Sequence, residues 1–168
     1  MTDFSRIISK LAALAVIGLV PLGNAHAAET TIRASAKVVK SLELTSKQNL
    51  DFGTITLSGT PGTYTVSMSL TGVVTCPSGA TCSGTPMPGV LNASGSKSQL
   101  VRITVSPSEL VNTLDGSRIP FTPVAPATLT LTNSGFPGTD FNVAGSIAIP
   151  STADGTYTGN VMVIADYQ

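Results

Sequence analysis

The sequence contains a single histidine, His26, and few charged residues, which make up 11% of its 168 residues. His26 falls in a predicted leader, so the mature chain has no imidazole. A serine nucleophile normally needs a histidine base, and most of the acidic residues stand singly near turns or strand ends rather than in the pair that glycoside hydrolysis requires. We therefore predict that the protein is not an enzyme and has no catalytic residues.

Motifs for metals, phosphates and nucleic acids are also missing. There is no calcium loop of the D-x-D-x-D-G type and no glycine loop that cradles phosphate. Aromatic residues, on which nucleic-acid bases stack, are only 5% of the chain. Residues 28–168 contain seven Lys or Arg and eight Asp or Glu, a net charge of 7 − 8 = −1. The sequence thus predicts no metal, no cofactor and no nucleic-acid partner.

The first 27 residues have the layout of a secretory signal. Arg6 and Lys10 precede an apolar run at 11–20, and Ala25-His26-Ala27 supplies the small residues of a cleavage site. Ten apolar residues are too few to span a bilayer, which needs about 20, and no later stretch is long and apolar enough. We predict a signal peptide at 1–27, and a mature protein that lies outside the cytoplasm without a membrane span.

The mature chain is rich in residues and patterns that favour strands. It contains 22 Thr and 17 Ser, and β-branched residues such as Thr pack well on a pleated surface. Apolar and polar residues alternate in about seven short runs, most clearly in residues 63–70, and Gly-, Pro- and Asn-rich turns separate the runs. This spacing predicts an all-β fold, an immunoglobulin-like β-sandwich.

Two cysteines, Cys76 and Cys82, bracket the segment Pro-Ser-Gly-Ala-Thr. In an oxidising compartment such a pair usually forms a disulfide. The pair lacks C-x-x-C spacing, and neither histidine nor a second cysteine pair accompanies it, so a redox or metal site is disfavoured. We predict a structural disulfide.

The C-terminal strand raises the question of how the sheet is completed. Asp154-Gly155-Thr156-Tyr157 resembles the turn before strand F of an immunoglobulin-like domain, in which the tyrosine hydroxyl bonds to the backbone. If Tyr157 opens strand F, no residues remain for strand G, and the sandwich is left one strand short. Met162 and Ile164, on the second face of this strand, predict that its middle is buried on both sides.

An open edge invites a strand from another segment. The candidate is an N-terminal arm, residues 28–40, ahead of a sandwich domain at 41–168. Its apolar residues alternate as a donor strand requires, at Ile32, Ala34, Ala36 and Val38. Alternatively, the segment is one long native edge strand, or it folds back into its own domain.

The C-terminal pattern also carries a family resemblance. The penultimate Tyr167, with Gly155 at the fourteenth position from the end, resembles the C-terminal signature of chaperone–usher fimbrial subunits, the pilins. Leu50-Asp51-Phe52-Gly53 resembles spore coat protein U-like domains. The two motifs together are similar to a bacterial secreted family, domain of unknown function 4402.

The resemblance implies a pilin-like subunit that polymerises by strand exchange, with Ile32, Ala34, Ala36 and Val38 as donor positions. It implies an acceptor groove along the terminal strand, lined by Gly155, Tyr157, Val161, Val163 and Tyr167. It further implies export to the periplasm and then the cell surface, with a periplasmic chaperone and an outer-membrane usher as partners.

Two functions from different classes follow as expectations. The first is a structural subunit of a bacterial surface fibre or coat, assembled by donation of the N-terminal strand. The second is a self-contained, monomeric β-sandwich that acts as a binding or adhesion module. The size of the secreted protein separates them, since the first predicts polymers and the second a monomer.

Overall fold

The structure is a computed structural model that describes residues 27–168. The predicted signal peptide, residues 1–27, lies outside the described residues except for Ala27. The chain divides into two units, Met1–Ala36 and Lys37–Gln168. Residues 27–41 contain no strand and are exposed throughout. The first strand begins at Glu43, so the alternating arm is not part of one long native edge strand.

The described residues contain thirteen β-strands and no helix. In chain order they are β1 Glu43–Gln48, β2 Thr54–Leu57, β3 Thr63–Met68, β4 Val74–Thr75, β5 Ala80–Ser83, β6 Gly89–Ser94, β7 Leu100–Val105, β8 Ser108–Asn112, β9 Arg118–Val124, β10 Thr128–Thr130, β11 Thr139–Pro150, β12 Tyr157–Thr158 and β13 Val163–Tyr167. The predicted all-β class is confirmed.

All strand pairs are antiparallel, and they form three sheets. The largest runs in the order β1-β6-β11-β9-β8-β12, and β3 joins it by pairing with β11 and β4. A second sheet has the order β10-β7-β13, and β2 pairs with β5 in a third. The twelve-residue strand β11 organises the large sheet, because its first half pairs with β6 and its second half with both β3 and β9.

The buried side chains form two clusters, one towards each half of β11. One cluster lies around β3, β9 and the second half of β11; its buried members are Phe52, Val66, Met68, Ile119, Phe121, Ala144, Ile147 and Ile149. The other joins the three-stranded sheet to β6 and the first half of β11; its members are Ala93, Val101, Ile103, Leu131, Phe141 and Val143. Since this second cluster draws side chains from two sheets, the packing is sandwich-like.

Strand β9 is formed despite two prolines. Ile119 and Phe121 alternate inward and are buried, while Pro120 and Pro123 remove two backbone donors. Pro123 lies opposite Gly145, whose φ of 153° is one that side chains rarely adopt. A Cβ on Gly145 would overlap the Thr122 carbonyl oxygen, so glycine allows β9 to approach β11 closely.

The disulfide between Cys76 and Cys82 is confirmed. The two Cα atoms are 6.2 Å apart, inside the range that disulfides adopt. Cys82 lies on β5 opposite Ile55 of β2, and both sulfur-bearing side chains pack against the cluster around Phe121. The bridge therefore fastens the small β2–β5 sheet to the main core.

Candidate assembly site

The terminal strand β13 lies at the edge of its sheet. It pairs with β7 from Val163 opposite Val105 to Tyr167 opposite Val101. None of the thirteen strands in the described residues pairs with its other side. An edge of this kind presents a row of backbone donors and acceptors to a further strand.

The hydrogen-bond register shows which backbone groups face that free edge. The Gln168 N–H donates to the Leu100 carbonyl, and the Ile103 N–H donates to Ala127 beside β10. Antiparallel ladders alternate with a period of two residues, so the backbone groups of Ile164 and Asp166 face β7. The N–H and C=O groups of Val163, Ala165 and Tyr167 therefore point away from β7, towards the free edge.

The core-facing side chains beside this edge are only half-buried. On the neighbouring strand, Val101 and Ile103 are 0% and 6% exposed. The residues that we name the terminal groove all pack on the same cluster yet stay partly accessible; they are Leu42, Leu44, Val161, Val163, Ala165 and Tyr167. The second cluster is therefore fully buried at β7, whereas all four core-facing side chains of segment 161–167 are among its partly accessible members.

The outer face of the terminal strand differs from its sequence-based prediction. Met162 and Ile164 are 66% and 44% exposed, so the prediction that the middle of this strand is buried on both faces is wrong. Apolar residues on both faces suggested two covering layers. In the structure, only the inner face packs on another sheet, and the outer face has no layer of described residues over it.

The Tyr167 hydroxyl joins three separate segments of the chain. It accepts a hydrogen bond from the Ser96 N–H at 2.8 Å and donates one to the Lys40 carbonyl at 2.9 Å. The Lys40 N–H in turn donates to the Ser96 hydroxyl at 2.7 Å. We call these three residues the latch. It ties the end of the arm to the β6–β7 turn and to the terminal strand.

Gly95 makes room for the latch. A Cβ at this position would overlap the Tyr167 hydroxyl and lie 2.9 Å from Leu131 Cδ1. Gly95 is buried, and its carbonyl accepts a hydrogen bond from the Gly135 N–H at 2.8 Å. A larger residue here would therefore displace the phenol that holds Lys40.

The structure separates the predicted groove residues into two groups. Val161, Val163 and Tyr167 come together in the terminal groove, with Ala165 as a member that the sequence-based set lacks. Gly155 and Tyr157 lie instead beside β8: Gly155 packs on Asn112, and Tyr157 pairs with it. The reason is that the chain changes sheets between β12 and β13.

The expected backbone bond of a tyrosine hydroxyl occurs at a different tyrosine. The Tyr157 hydroxyl lies 2.9 Å from the Ser117 hydroxyl, a side-chain contact. It is Tyr64 whose hydroxyl donates to a backbone carbonyl four residues upstream, that of Thr60, at 2.8 Å. Both tyrosines follow Gly-Thr, so the sequence alone does not distinguish them.

The predicted donor residues lie in the exposed arm. Ile32 is 91% exposed and Val38 is 90% exposed, and Ala34 and Ala36 are exposed as well. Large aliphatic side chains with so little burial contribute almost nothing to folding. None of these four side chains belongs to either buried cluster.

One ion pair lies near the N-terminal end of β11, at Asp140. The Lys47 ammonium lies 2.7 Å from both carboxylate oxygens of Asp140, and the buried Asn92 amide donates to Asp140 as well. The hydrogen bond from Lys47, followed by that from Asn92, lowers the pKa of Asp140 below its usual value. This arrangement stabilises the junction of β1, β6 and β11.

The described residues contain no cluster that could bind a metal ion. Within 27–168, no three His, Cys, Asp or Glu side chains cluster closely enough to hold a metal ion. Over the same range, no helix is long and apolar enough to cross a membrane. Two shallow depressions beside β2 and β5 are lined by small polar and apolar residues without an ionisable side chain.

Comparison with known families supports one assignment. Residues 42–167 match the family described as domain of unknown function (DUF4402). The chain belongs to the DUF4402 family. The match begins at Leu42 and ends at Tyr167, so this DUF4402 domain spans the strands from β1 to β13. No curated protein and no solved structure matches the chain.

Proposed function

We propose that this DUF4402 protein is a structural subunit of a bacterial surface fibre or coat. In the assembly, the arm of one copy is donated to the free edge of β13 in the next copy. The domain is then an immunoglobulin-like, pilin-like sandwich that lacks its last strand. The observation that carries the proposal is the unpaired edge of β13 beside a half-covered core.

The arm and the groove match in length and in side-chain spacing. Ile32 to Val38 is a seven-residue segment with an apolar residue at every second position. Val161 to Tyr167 is also seven residues, with four core-facing positions. Each segment extends for roughly 20 Å at about 3.3 Å per residue. A donated strand can therefore cover the flank of the cluster along its whole open length.

Apolar burial and backbone hydrogen bonds both favour donation. Burying Ile32 and Val38 contributes about 3–6 kcal/mol, with smaller terms from the two alanines. The outward-facing groups of Val163, Ala165 and Tyr167 offer up to three donors and three acceptors, each worth about 1 kcal/mol. After the cost of association and ordering, these terms correspond to weak-to-moderate binding at each junction.

An uncovered edge and an apolar arm are both prone to non-specific association. We therefore extend the proposal to a periplasmic chaperone that covers the groove before assembly and to an outer-membrane usher. Both partners follow from the resemblance to pilins, with export by the signal peptide at 1–27. The fibre would stand on the cell surface or leave the cell.

The test compares two substitutions in the arm of the secreted chain. Ala36→Asp places a carboxylate at a position that faces the core in the donated strand. Ser35→Asp places the same group one residue away, where it faces solvent. We expect Ala36→Asp to abolish polymers and Ser35→Asp to leave them intact, as seen by size-exclusion chromatography with light scattering.

Polymers of unchanged size in Ala36→Asp contradict arm donation. A wild-type chain that remains monomeric at high concentration supports the other function, a self-contained β-sandwich acting as a binding or adhesion module. Deletion of residues 28–40 distinguishes the two further, since an independent module retains its behaviour without the arm. A fibre subunit loses assembly and exposes its groove.

A further inference from the structure

The two ends of β11 define two poles of the domain. The strand has twelve residues, so Thr139 and Pro150 are roughly 36 Å apart. We name the Thr139 end the root pole, because the arm leaves the domain there. The Pro150 end is the far pole.

The root pole consists of the latch and two connecting segments. The β6–β7 turn, residues 95–99, and the loop 132–138 are joined by the Gly135 N–H to Gly95 carbonyl bond. The Lys40 ammonium reaches the Ser134 carbonyl at 3.4 Å. At the tip of the loop, Phe136 is 96% exposed. The cations here are Lys40 and Lys97, and the acidic residues next to them are Glu43 on β1 and the exposed Asp166 beside Tyr167.

The far pole consists of the β8–β9 turn and the segment before β12. Residues 113–117 are fixed to residues 151–156 by the Thr113 N–H to Thr156 carbonyl bond. Leu114 at the tip of the turn is 87% exposed. The charges of the two segments are Asp115 and Asp154, both exposed. The nearby Arg118 is already paired with Glu109 at 2.7 Å.

Each pole therefore carries one nearly fully exposed large apolar side chain and charges of a single sign in its turns. Isolated exposed apolar residues are common on protein surfaces. Here, however, Phe136 and Leu114 lie at opposite tips of the fold, next to lysines and aspartates respectively. In charge, the root pole therefore complements the far pole of another copy but not the root pole of another copy. A pair of surfaces with this property favours a head-to-tail contact.

The direction of the terminal strand connects these poles to arm donation. Residues 157–167 run from the far pole, where Tyr157 pairs with Asn112, to the root pole, where Tyr167 bonds Lys40. A donated strand antiparallel to β13 places Val38 near Val161 of the acceptor. Only Val39 then separates the donated segment from Lys40, which the latch holds at the root pole of the donor, so the donor domain lies close to the far-pole side of the acceptor.

The parallel orientation brings two root poles together. It would oppose Lys40 and Lys97 of one copy to the same lysines of the other, at the point where the acceptor's own arm leaves. Like charges at a contact are unfavourable, and antiparallel ladders are slightly more stable than parallel ones. The charges and the ladder both favour the antiparallel arrangement.

We propose that a second copy of this chain docks head-to-tail, with the root-pole surface at Phe136 and Lys97 against the far-pole surface at Leu114 and Asp154. This contact rests on the proposed arm donation and adds a second surface to each junction. The donated strand supplies attachment, and the poles supply the direction and stiffness of the fibre.

Cross-linking tests the contact directly. Phe136→Cys and Leu114→Cys are prepared separately in the full mature chain, in which the described residues contain no free cysteine. Treated with a short bismaleimide, a mixture of the two variants should give a covalent dimer, and each variant alone should give none. Dimers of Phe136→Cys with itself would show that like poles meet and would overturn the proposal. Val73→Cys, at a 63% exposed site between the poles, is the matched control.

Charge reversal tests the same contact in the assembled state. Lys97→Asp alone should slow elongation by about tenfold or more at low salt, and Asp154→Lys in the same chain should restore it. Equal rates for the single and double variants would contradict the contact. If Ala36→Asp still abolishes polymers while the cross-link is absent, the proposal of arm donation is retained and the proposed contact between the root pole and the far pole is refuted. If Ala36→Asp assembles normally, both proposals fail together.

Discussion

Tyr167→Phe removes only the hydroxyl of the latch, and its effect on stability follows from the geometry. The substitution deletes two hydrogen bonds, from the Ser96 N–H at 2.8 Å and to the Lys40 carbonyl at 2.9 Å. Each such bond is worth about 0.5–1.5 kcal/mol net. Because Ser96 is half-buried and Lys40 is exposed, water can replace part of the loss. We expect destabilisation of about 1–2 kcal/mol.

Thermal unfolding measures this effect. For a domain of this size, a loss of 1–2 kcal/mol lowers Tm by about 4–8 °C. The measurement belongs in the Ala36→Asp background, because assembly would make Tm depend on concentration. Tyr157→Phe is the matched control, since its hydroxyl contacts only the exposed Ser117 hydroxyl. It should lower stability by about 0.5 kcal/mol or less.

Amide exchange gives a local readout of the latch. The Ser96 N–H should lose protection in Tyr167→Phe. The Gly135 N–H, which donates to Gly95 in the adjacent loop, should keep its protection. The latch hypothesis is refuted if Tyr157→Phe lowers Tm as much as Tyr167→Phe, or if both amides change equally. Either result would mean that the loss of stability is not specific to the two hydrogen bonds of the Tyr167 hydroxyl.

Two further predictions concern the disulfide and the ion pair. Replacing both Cys76 and Cys82 by alanine should lower stability by about 2 kcal/mol, because the bridge closes a loop with a separation of 6 residues. Urea unfolding measures this loss, and an unchanged midpoint would contradict a stabilising role of the disulfide. The pKa of Asp140 is lowered in the folded state, so its contribution is present above the unfolded pKa of about 3.9 and is lost as pH falls through the folded pKa. Between pH 5 and pH 2, the urea unfolding midpoint of the wild type should therefore fall more than that of Asp140→Asn. An equal fall of the two midpoints would disprove the effect.

The sequence predicts the fold class and the disulfide because both depend on short-range patterns. Alternation over residues 63–70 requires only a strand with one buried face, and β3 forms there with Tyr64, Val66 and Met68 buried. The five residues between Cys76 and Cys82 already restrict the distance between their Cα atoms. Neither prediction needs knowledge of which strands become neighbours.

Strands β6, β8 and β9 are not evident from the sequence. Pro120 and Pro123 normally exclude a central strand, yet β9 lies between β8 and β11. Gly145 compensates on the partner strand, and that compensation is visible only once the register is known. In β6, buried Ala93 and Asn92 replace the large apolar residues that an alternation pattern requires.

The terminal groove is partly predictable, for a similar reason. The spacing of Val161, Val163 and Tyr167 identifies one face of a strand. The separation of Gly155 and Tyr157 from that face depends on the change of sheet after β12. The latch could not be predicted at all, because Lys40 and Ser96 lie 127 and 71 residues from Tyr167 in sequence.

Tyr167 belongs to the latch and to the terminal groove through different atoms. Its hydroxyl is used by Ser96 and Lys40, its ring covers the second cluster, and its backbone N–H and C=O face the free edge. A strand added to β13 therefore needs no group that the latch already occupies. Since the latch fixes Lys40 beside the end of β13, the arm of each copy leaves the domain next to that copy's own groove. In the proposed assembly, the same residue therefore fixes where the donor segment ends and supplies part of the edge that would accept the donor of another copy.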